Sequence, residues 1–263
     1  MSNDIIYFGF DMDDTIGYIH QFFPIISIFF PSIYEIPISK ELSKKLEEAY
    51  QNFVFLLADT EKRIPFFLNP IVVETLRSSR DSYYMIYSNN SVLELLHFAS
   101  DLLEAVLDKK IFCAHVHLNH EIRDEFDGSS GNKPKTWATY KKIFTDLCGA
   151  PEPPTADNSV FFDDLEHLDL MNVLGTNYYH IEKYHKRFDE RDTYYKESII
   201  SVKDLKSDPE FRTYLSNLHS KAKAEKEGGS LKSKRTTQKQ RKQKKQTKQR
   251  KQTKQRNTKK IRR

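Results

Sequence analysis

Short apolar runs alternate along the chain with segments in which apolar residues recur every three or four positions. The runs are rich in β-forming residues, as expected of strands buried on both faces, and cover residues 5–10, 83–87, 159–162 and 177–181. The helical pattern between them predicts helices over residues 91–108, 136–147 and 165–174. Strands that alternate with helices indicate an α/β fold with a doubly wound, Rossmann-like parallel sheet.

Residues 17–68 interrupt this alternation and are predicted to form a small, mostly helical insertion or cap over the strand ends. Residues 40–57 within it are amphipathic, and Asn69 and Pro70 then open the next helix as its cap and first residue. Residues 19–38 are apolar enough to resemble a membrane span, but their three prolines and several polar residues suit a spanning helix poorly. We expect a prolyl flap or an exposed interaction patch there, and no membrane span.

Charge is distributed unevenly along the chain. The formal net charge is +5, but residues 232–263 hold 17 Lys or Arg and no acid, which leaves a net charge of −12 in the rest. We therefore divide the chain into a domain over residues 1–220 and a linker with a disordered, Lys/Arg/Gln-rich basic tail over residues 221–263. The tail is predicted to bind nucleic acid or another polyanion without sequence preference, to direct the chain to the nucleus, or only to keep it soluble.

The cysteines and the start of the chain bear on its location. Cys113 and Cys148 fit neither a disulfide framework nor a zinc spacing, which favours a reducing compartment. The first residues lack the basic region and cleavage site of a signal peptide. We therefore predict a cytoplasmic or nuclear protein.

Three histidines, His115, His117 and His120, lie close together in AHVHLNH and raise the question of a zinc site. Alternate residues of a strand share a face, so His115 and His117 can approach one ligand. No nearby Cys or acidic residue completes a tetrahedral set, however. Substrate contact or a plain surface strand is the favoured interpretation.

Polar side chains follow three of the predicted strands, where open α/β sheets bind their ligands. The first strand ends in FDMDDT, with Asp11, Asp13 and Thr15; the second ends in YSNN; and the run 159–162 is followed by Asp163 and Asp164. A lysine stands at the start of the helix that leads into that run. Clustered carboxylates are costly when buried, so a positive charge is expected among them.

These four groups, in this order, resemble the motifs of the haloacid dehalogenase superfamily of phosphotransferases, over roughly residues 4–185. Within it, the stretches IYSNNSVLELLHFASDLLEAVLD and SVFFDDLEHLDLMNVLGTNYYHI look most like the magnesium-dependent phosphatase and carboxy-terminal-domain phosphatase-like branches. The resemblance implies that residues 1–220 form a phosphatase domain. The insertion after Thr15 is longer than expected for either branch.

The resemblance assigns a role to each motif residue of the first two strands. Asp11 attacks phosphorus and becomes an aspartyl-phosphate. Asp13 protonates the leaving oxygen and later takes a proton from the attacking water, while its backbone carbonyl contacts the metal. Thr15 braces the loop, and Ser88 and the backbone N–H of Asn89 bind the phosphoryl oxygens.

The motif lysine neutralises the nucleophile and the transferred phosphoryl group. Lys133 has the common Lys-Pro context, whereas the 14 residues from Lys135 to Gly149 match the usual spacing of the family. We favour Lys135 and keep Lys133 as the alternative. Independently of the family, Ser91 to Glu94 is a capping-box pattern, so the loop with Ser88 is predicted to end at a helix N-terminus that favours phosphate.

A magnesium ion is the expected positive charge, because hard oxygen ligands and a phosphorylated substrate both favour Mg²⁺. Asp11 and Asp13 face the same way in an extended chain and can converge on one point. The resemblance implies that the Asp11 carboxylate, the Asp13 carbonyl and one of Asp163 and Asp164 hold the ion, with the other aspartate behind it.

The sequence thus predicts a Mg²⁺-dependent phosphatase that hydrolyses a phosphate monoester of a phosphoprotein or small molecule through an aspartyl-phosphate. One alternative is a nucleic-acid 3′-end phosphatase held on polynucleotide by the basic tail. A non-catalytic binding module with the same fold is disfavoured, because a site without activity is free to lose charges that destabilise it.

Overall fold

The computed structural model describes residues 5–58, 64–79, 82–127, 133–184 and 202–225. Most of the predicted linker and tail, including the polyanion-binding residues 232–263, lies outside the described residues. The chain divides into two compact units, Met1–Phe211 and Arg212–Arg263. Of the second unit, the described residues belong to a helix over residues 209–225.

Five parallel strands form one sheet in the order β3-β2-β1-β4-β5. They are β1 (Ile6–Phe10), β2 (Ser82–Tyr87), β3 (Phe112–Val116), β4 (Ser159–Asp163) and β5 (Tyr178–His180). The predicted α/β fold with a parallel sheet is confirmed. Sequence reasoning did not place β3 in the sheet. This strand lies at one edge, and its alternating sequence FCAHV carries a weaker signal than a strand buried on both faces.

Eight α-helices occur in the part of the chain that the structure describes. They are α1 (Phe23–Phe29), α2 (Lys40–Ala58), α3 (Pro70–Ser78), α4 (Leu93–Leu107), α5 (Glu121–Phe126), α6 (Trp137–Lys142), α7 (Leu168–Leu174) and α8 (residues 209–225). Helix α6 continues into a π-helical turn over Ile143–Leu147. The predicted start of α3 is confirmed, because the Asn69 side chain accepts a hydrogen bond from the Ile71 N–H and Pro70 is the first helical residue.

The predicted capping box at the start of α4 does not form. The residue before the helix is Val92, without a side-chain cap, and Glu94 accepts a hydrogen bond from the Ser32 hydroxyl instead. Asn90 caps a backbone N–H just before the helix instead, since its Oδ1 accepts a hydrogen bond from the Val92 N–H at 2.8 Å. The local pattern was wrong because a side chain of the insertion competes for Glu94.

One hydrophobic core packs around β1, β4 and α6. Tyr140 of α6 is buried and donates hydrogen bonds from its hydroxyl to the carbonyls of Tyr7 and Val160. The centre of β1 is Gly9, where an added Cβ would lie 2.5 Å from the Phe161 ring and 2.9 Å from the Tyr140 ring. A glycine is therefore required for these two aromatic rings to pack against the strand that carries Asp11.

The insertion packs its apolar side chains inward. Its first part comprises a 3₁₀ turn (Ile19–Phe22), α1 and a second 3₁₀ turn (Pro31–Tyr34). Phe22 and Phe53 are fully buried, and their rings contact that of Phe98 in α4. The expectation of an exposed interaction patch over residues 19–38 was wrong, because this segment completes the core beside α4. Among the described residues, no helix combines the length and the apolar character needed to cross a membrane.

The two ends of the insertion meet beside the loop that carries Asp11. The Tyr18 N–H donates to the Phe67 carbonyl at 3.1 Å, and the Asn69 N–H donates to the Ile16 carbonyl at 2.8 Å. A Cβ at Gly17 would lie 2.3 Å from the Phe67 carbonyl oxygen. Only glycine allows the two backbones to approach so closely.

Cys113 and Cys148 form a disulfide, with their Cα atoms 5.0 Å apart. The expectation that these cysteines fit no disulfide was wrong. The sheet places the edge strand β3 beside the π-helical turn that precedes Cys148, a proximity that their separation of 35 residues does not reveal. Cysteine usage therefore no longer favours a reducing compartment.

Candidate active site

The register of the three central strands brings their polar ends to one edge of the sheet. Phe10 pairs with Ile86 on one side and with Phe162 on the other, and the Asp11 N–H donates to the Phe162 carbonyl at 2.9 Å. Asp11 directly follows β1, Ser88 directly follows β2 and Asp163 is the last residue of β4, so the three lie at the same end of the sheet. The predicted motif residues are thus close together in space.

Lys135 is buried between two of the predicted carboxylates. Its Nζ lies 2.5 Å from Asp11 Oδ1 and 2.6 Å from Asp163 Oδ2. Burial would lower the pKa of Lys135, but the two carboxylates outweigh it and raise that pKa. Lys133 pairs instead with Asp124, whose side chain is exposed. The structure therefore brings Lys135, and not Lys133, into the cluster.

Oxygen atoms of Asp11, Asp163 and Asp164 lie within 4.8 Å of one another, and all three residues are buried. Burial raises the pKa of Asp11 to about 7, against the opposing charge of Lys135. Burial also acts to raise the pKa of Asp163, but Lys135 and His167 outweigh it and lower that pKa. Mg²⁺ prefers carboxylate oxygens and is bound by one or two carboxylates together with water or phosphate oxygens, so this cluster can supply ligands for the ion.

The two adjacent aspartates face different partners. Asp163 uses Oδ2 for Lys135 and accepts the Leu165 N–H at Oδ1. Asp164 lines the cavity described below, which Asp163 does not. The Asp164 N–H donates to Thr15 Oγ1 at 3.0 Å, and Thr15 Oγ1 lies 3.3 Å from Asp164 Oδ1. This geometry favours Asp164 as the direct metal ligand and Asp163 as the residue that holds Lys135, with Thr15 bracing the loop.

Asp13 lies on the same cavity but outside the three-carboxylate cluster. Its Oδ2 accepts a hydrogen bond from the Asn90 amide at 2.8 Å, and burial raises its pKa. The Nδ1 atom of His20 lies 4.0 Å from its Oδ1. A carboxyl with a raised pKa holds a proton more readily, which is the property required of an acid that donates to a leaving oxygen.

The site opens into a cavity of about 390 Å³. Its lining residues come from the loops after β1, β2, β4 and β5: Asp11, Asp13, Asp14, Ser88, Asn89, Asn90, Ser91, Asp164, Leu165 and Lys183. None of these residues belongs to the insertion helices α1 and α2. In the described part of the chain, the predicted cap therefore contributes no residue to the cavity wall.

Arg123 is a residue that the sequence analysis missed. It is completely buried in α5, and its guanidinium donates to the Ser88 carbonyl and to Asn89 Oδ1, both at 2.8 Å. The same group donates to the Lys133 carbonyl at 3.2 Å and pairs with Asp127 at 2.6 Å. Arg123 thus joins the loop of the predicted phosphate-binding residues to the loop of the lysine. Its only sequence signal was an acid four positions later.

We predict that Arg123→Met lowers the free energy of unfolding by about 3 kcal/mol, because the Asp127 charge is left buried without its partner. Urea unfolding of the purified protein measures this. The double variant Arg123→Met/Asp127→Asn should recover part of the loss, since the unpaired charge is gone. Equal stability of the two variants would contradict the interpretation of a mutually dependent pair.

The three histidines of AHVHLNH lie on β3 and the following loop. His117 Nδ1 accepts the Asn119 N–H, and His120 Nδ1 accepts the Ile122 N–H as the cap of α5. Burial lowers the pKa of His117 and His120 and that of His115 to about 4. Two of the three rings therefore have backbone partners at one nitrogen.

No family model matches the sequence, and the search of curated proteins found no match. The function must therefore be inferred from the residues of the site.

Proposed function

We propose that this protein is a Mg²⁺-dependent phosphatase of the haloacid dehalogenase type, most similar to the magnesium-dependent and carboxy-terminal-domain phosphatase-like branches. We also propose that its parallel sheet is doubly wound and Rossmann-like. The observation that carries the proposal is the buried Lys135 between Asp11 and Asp163, where Asp11 also lines a cavity together with Asp13 and Ser88. A lysine and two carboxylates buried together are costly for stability, and a role in phosphoryl transfer would explain their presence.

The reaction would proceed in two displacements. A carboxylate oxygen of Asp11 attacks phosphorus, the bond from phosphorus to the ester oxygen breaks, and Asp13 gives that oxygen its proton. Water then attacks the aspartyl-phosphate while Asp13 accepts its proton. The bond from phosphorus to Asp11 breaks, and inorganic phosphate leaves. Lys135 favours the deprotonated form of the attacking Asp11 carboxylate against the effect of burial, and Ser88 donates a hydrogen bond to a phosphoryl oxygen.

Asp11 and Asp164 would hold Mg²⁺, together with the Asp13 carbonyl. When bound, the ion neutralises negative charge on the transferred phosphoryl group. Asp163 then serves mainly to orient Lys135, because its Oδ2 accepts from that lysine and the residue does not line the cavity. The cavity wall, free of residues from α1 and α2, supports a substrate that extends out of the site, as a phosphoprotein does.

Release of phosphate from phenyl phosphate tests the proposal. We expect turnover with added Mg²⁺, loss of turnover with EDTA, and recovery when Mg²⁺ is added back in excess, because the carboxylates of the site outnumber Lys135 and Lys183 and repel a phosphate dianion unless a further cation binds. Phosphate is measured colorimetrically on the full chain. Activity that EDTA leaves unchanged, or no activity in folded protein shown to bind Mg²⁺, would count against the proposed function.

A further inference from the structure

Lys183 follows the last strand of the sheet and lines the cavity, yet it belongs to none of the predicted motifs. Its Nζ lies 3.2 Å from Asp164 Oδ2, and its side chain is 51% exposed. An ammonium group has three N–H donors, and Asp164 accepts from one of them. Within the described ranges the structure shows no second partner for Lys183, whose remaining two donors are the ones proposed below to meet a ligand.

The backbone on both sides of Lys183 is held against the catalytic loops. The Ile181 N–H donates to the Asp163 carbonyl at 2.9 Å, and the Tyr184 N–H donates to the Asp14 carbonyl at 2.8 Å. The Tyr184 hydroxyl adds a bond to the Phe66 carbonyl at 2.7 Å. These bonds hold the backbone of Lys183 beside the loops of the site, and the residue lines the cavity.

Lys183 is a second cation beside the carboxylate cluster, paired with Asp164. The buried Lys135 already pairs with Asp11 and Asp163, and Asp164 has the Thr15 hydroxyl as a neighbour. Lys183 instead adds a positive charge where the cavity meets solvent. Leu165, 46% exposed, lines the same cavity and offers apolar surface there.

We propose that Lys183 and Leu165 bind the leaving group of the substrate, and that they select a phosphate ester whose leaving group combines an apolar body with a second negative charge. The inference rests on the proposed phosphatase function and specifies its substrate class. The phosphoryl group lies between Asp11 and Ser88, and the leaving group extends past Leu165. The second anion then reaches the free donors of the Lys183 ammonium.

Two aryl phosphates that differ by one carboxylate test this selection: 4-carboxyphenyl phosphate and phenyl phosphate. The preference is the ratio of their kcat/KM values, measured for the full-length wild type and for Lys183→Gln. Since both proteins act on the same two esters, the intrinsic reactivity of the esters cancels. We expect Lys183→Gln to lower the preference for the carboxylated ester about fivefold, the effect of one partly exposed ion pair.

Two comparisons separate this role from a structural one. Lys183→Arg should keep the preference, and Lys44→Gln, which removes an exposed lysine paired with Glu48, should leave it unchanged. Added salt should lower the preference of the wild type and have little effect on that of Lys183→Gln, because a partly exposed ion pair is screened. An equal preference in wild type and Lys183→Gln would overturn the proposal.

Binding distinguishes a failure of this inference from a failure of the proposed function. Calorimetry on Asp11→Asn and on Asp11→Asn/Lys183→Gln, each with Mg²⁺, gives the affinity ratio of the two esters without turnover. If the wild type hydrolyses neither ester, the phosphatase function is wrong. The affinity for 4-carboxyphenyl phosphate divided by that for phenyl phosphate still tests the role of Lys183. If this ratio is lower in Asp11→Asn/Lys183→Gln than in Asp11→Asn, the role is supported; if the two ratios are equal, it is refuted.

Discussion

Asp11→Asn is expected to lower kcat for phenyl phosphate by about 10⁴-fold or more, because an amide cannot replace the carboxylate that attacks phosphorus. Asparagine has nearly the same shape as aspartate, and its side-chain oxygen can still accept the hydrogen bond from Lys135. The fold should therefore persist. Phosphate release at saturating substrate and Mg²⁺ measures the effect, and urea unfolding shows whether the protein remains folded.

Asp146→Asn is the matched control for this variant. Asp146 is an exposed aspartate that pairs with Lys142 on the π-helical turn and lies outside the cavity. Its replacement should leave kcat within about twofold, as expected for a surface position. Activity of Asp11→Asn near that of the control would exclude an aspartyl-phosphate at this residue.

Lys135→Met is expected to cost about 4 kcal/mol of unfolding free energy and to abolish turnover. Methionine fills a similar volume but leaves Asp11 and Asp163 buried without their cation, and breaking a buried pair in this way is strongly destabilising. Without Lys135 the folded-state pKa of Asp11, already above its usual value, rises further, and that of Asp163 is no longer held down by the lysine. The folded state then binds more protons, so the cost should be greater at pH 8 than at pH 5.

Lys133→Met is the matched control, since its partner Asp124 is exposed and the pair contributes little. We expect a loss below about 1 kcal/mol for it in urea unfolding at pH 7. Added Mg²⁺ should stabilise Lys135→Met, because a bound cation replaces part of the missing charge. Equal costs for the two lysines, or a cost for Lys135→Met that does not change with pH, would contradict the assigned arrangement.

The centre of the sheet was predictable from the sequence because the largely buried strands β1, β2 and β4 leave continuous apolar runs. The other edge strand, β5, was predicted from its β-forming tyrosines, although two of its three residues are exposed. The edge strand β3 left a weaker pattern and was not predicted as part of the sheet. The resemblance to the haloacid dehalogenase motifs favoured Lys135 over Lys133 by its spacing, and the structure places Lys135 beside Asp11. The capping box predicted from Ser91 to Glu94 was wrong, because the Glu94 side chain accepts a hydrogen bond from Ser32, a residue distant in sequence.

Tertiary contacts explain the remaining differences. The Cys113–Cys148 disulfide and the contacts of Arg123 depend on which loops the sheet brings together, and spacing alone does not contain that information. The apolar segment over residues 19–38 was misinterpreted for a similar reason. Its composition is the same whether it faces solvent or α4, and only the packing decides between the two.

The two ends of the insertion pair with each other, so the point where it joins the domain is distinct from the surface through which it packs. The segment leaves and rejoins the domain at a single point, between Gly17 and Leu68, so its length can change in evolution without displacing the strands that carry the site. Its aromatic side chains, however, have become part of the interior beside α4. A shorter descendant of this chain would therefore need new polar residues on α4 before it could lose the segment.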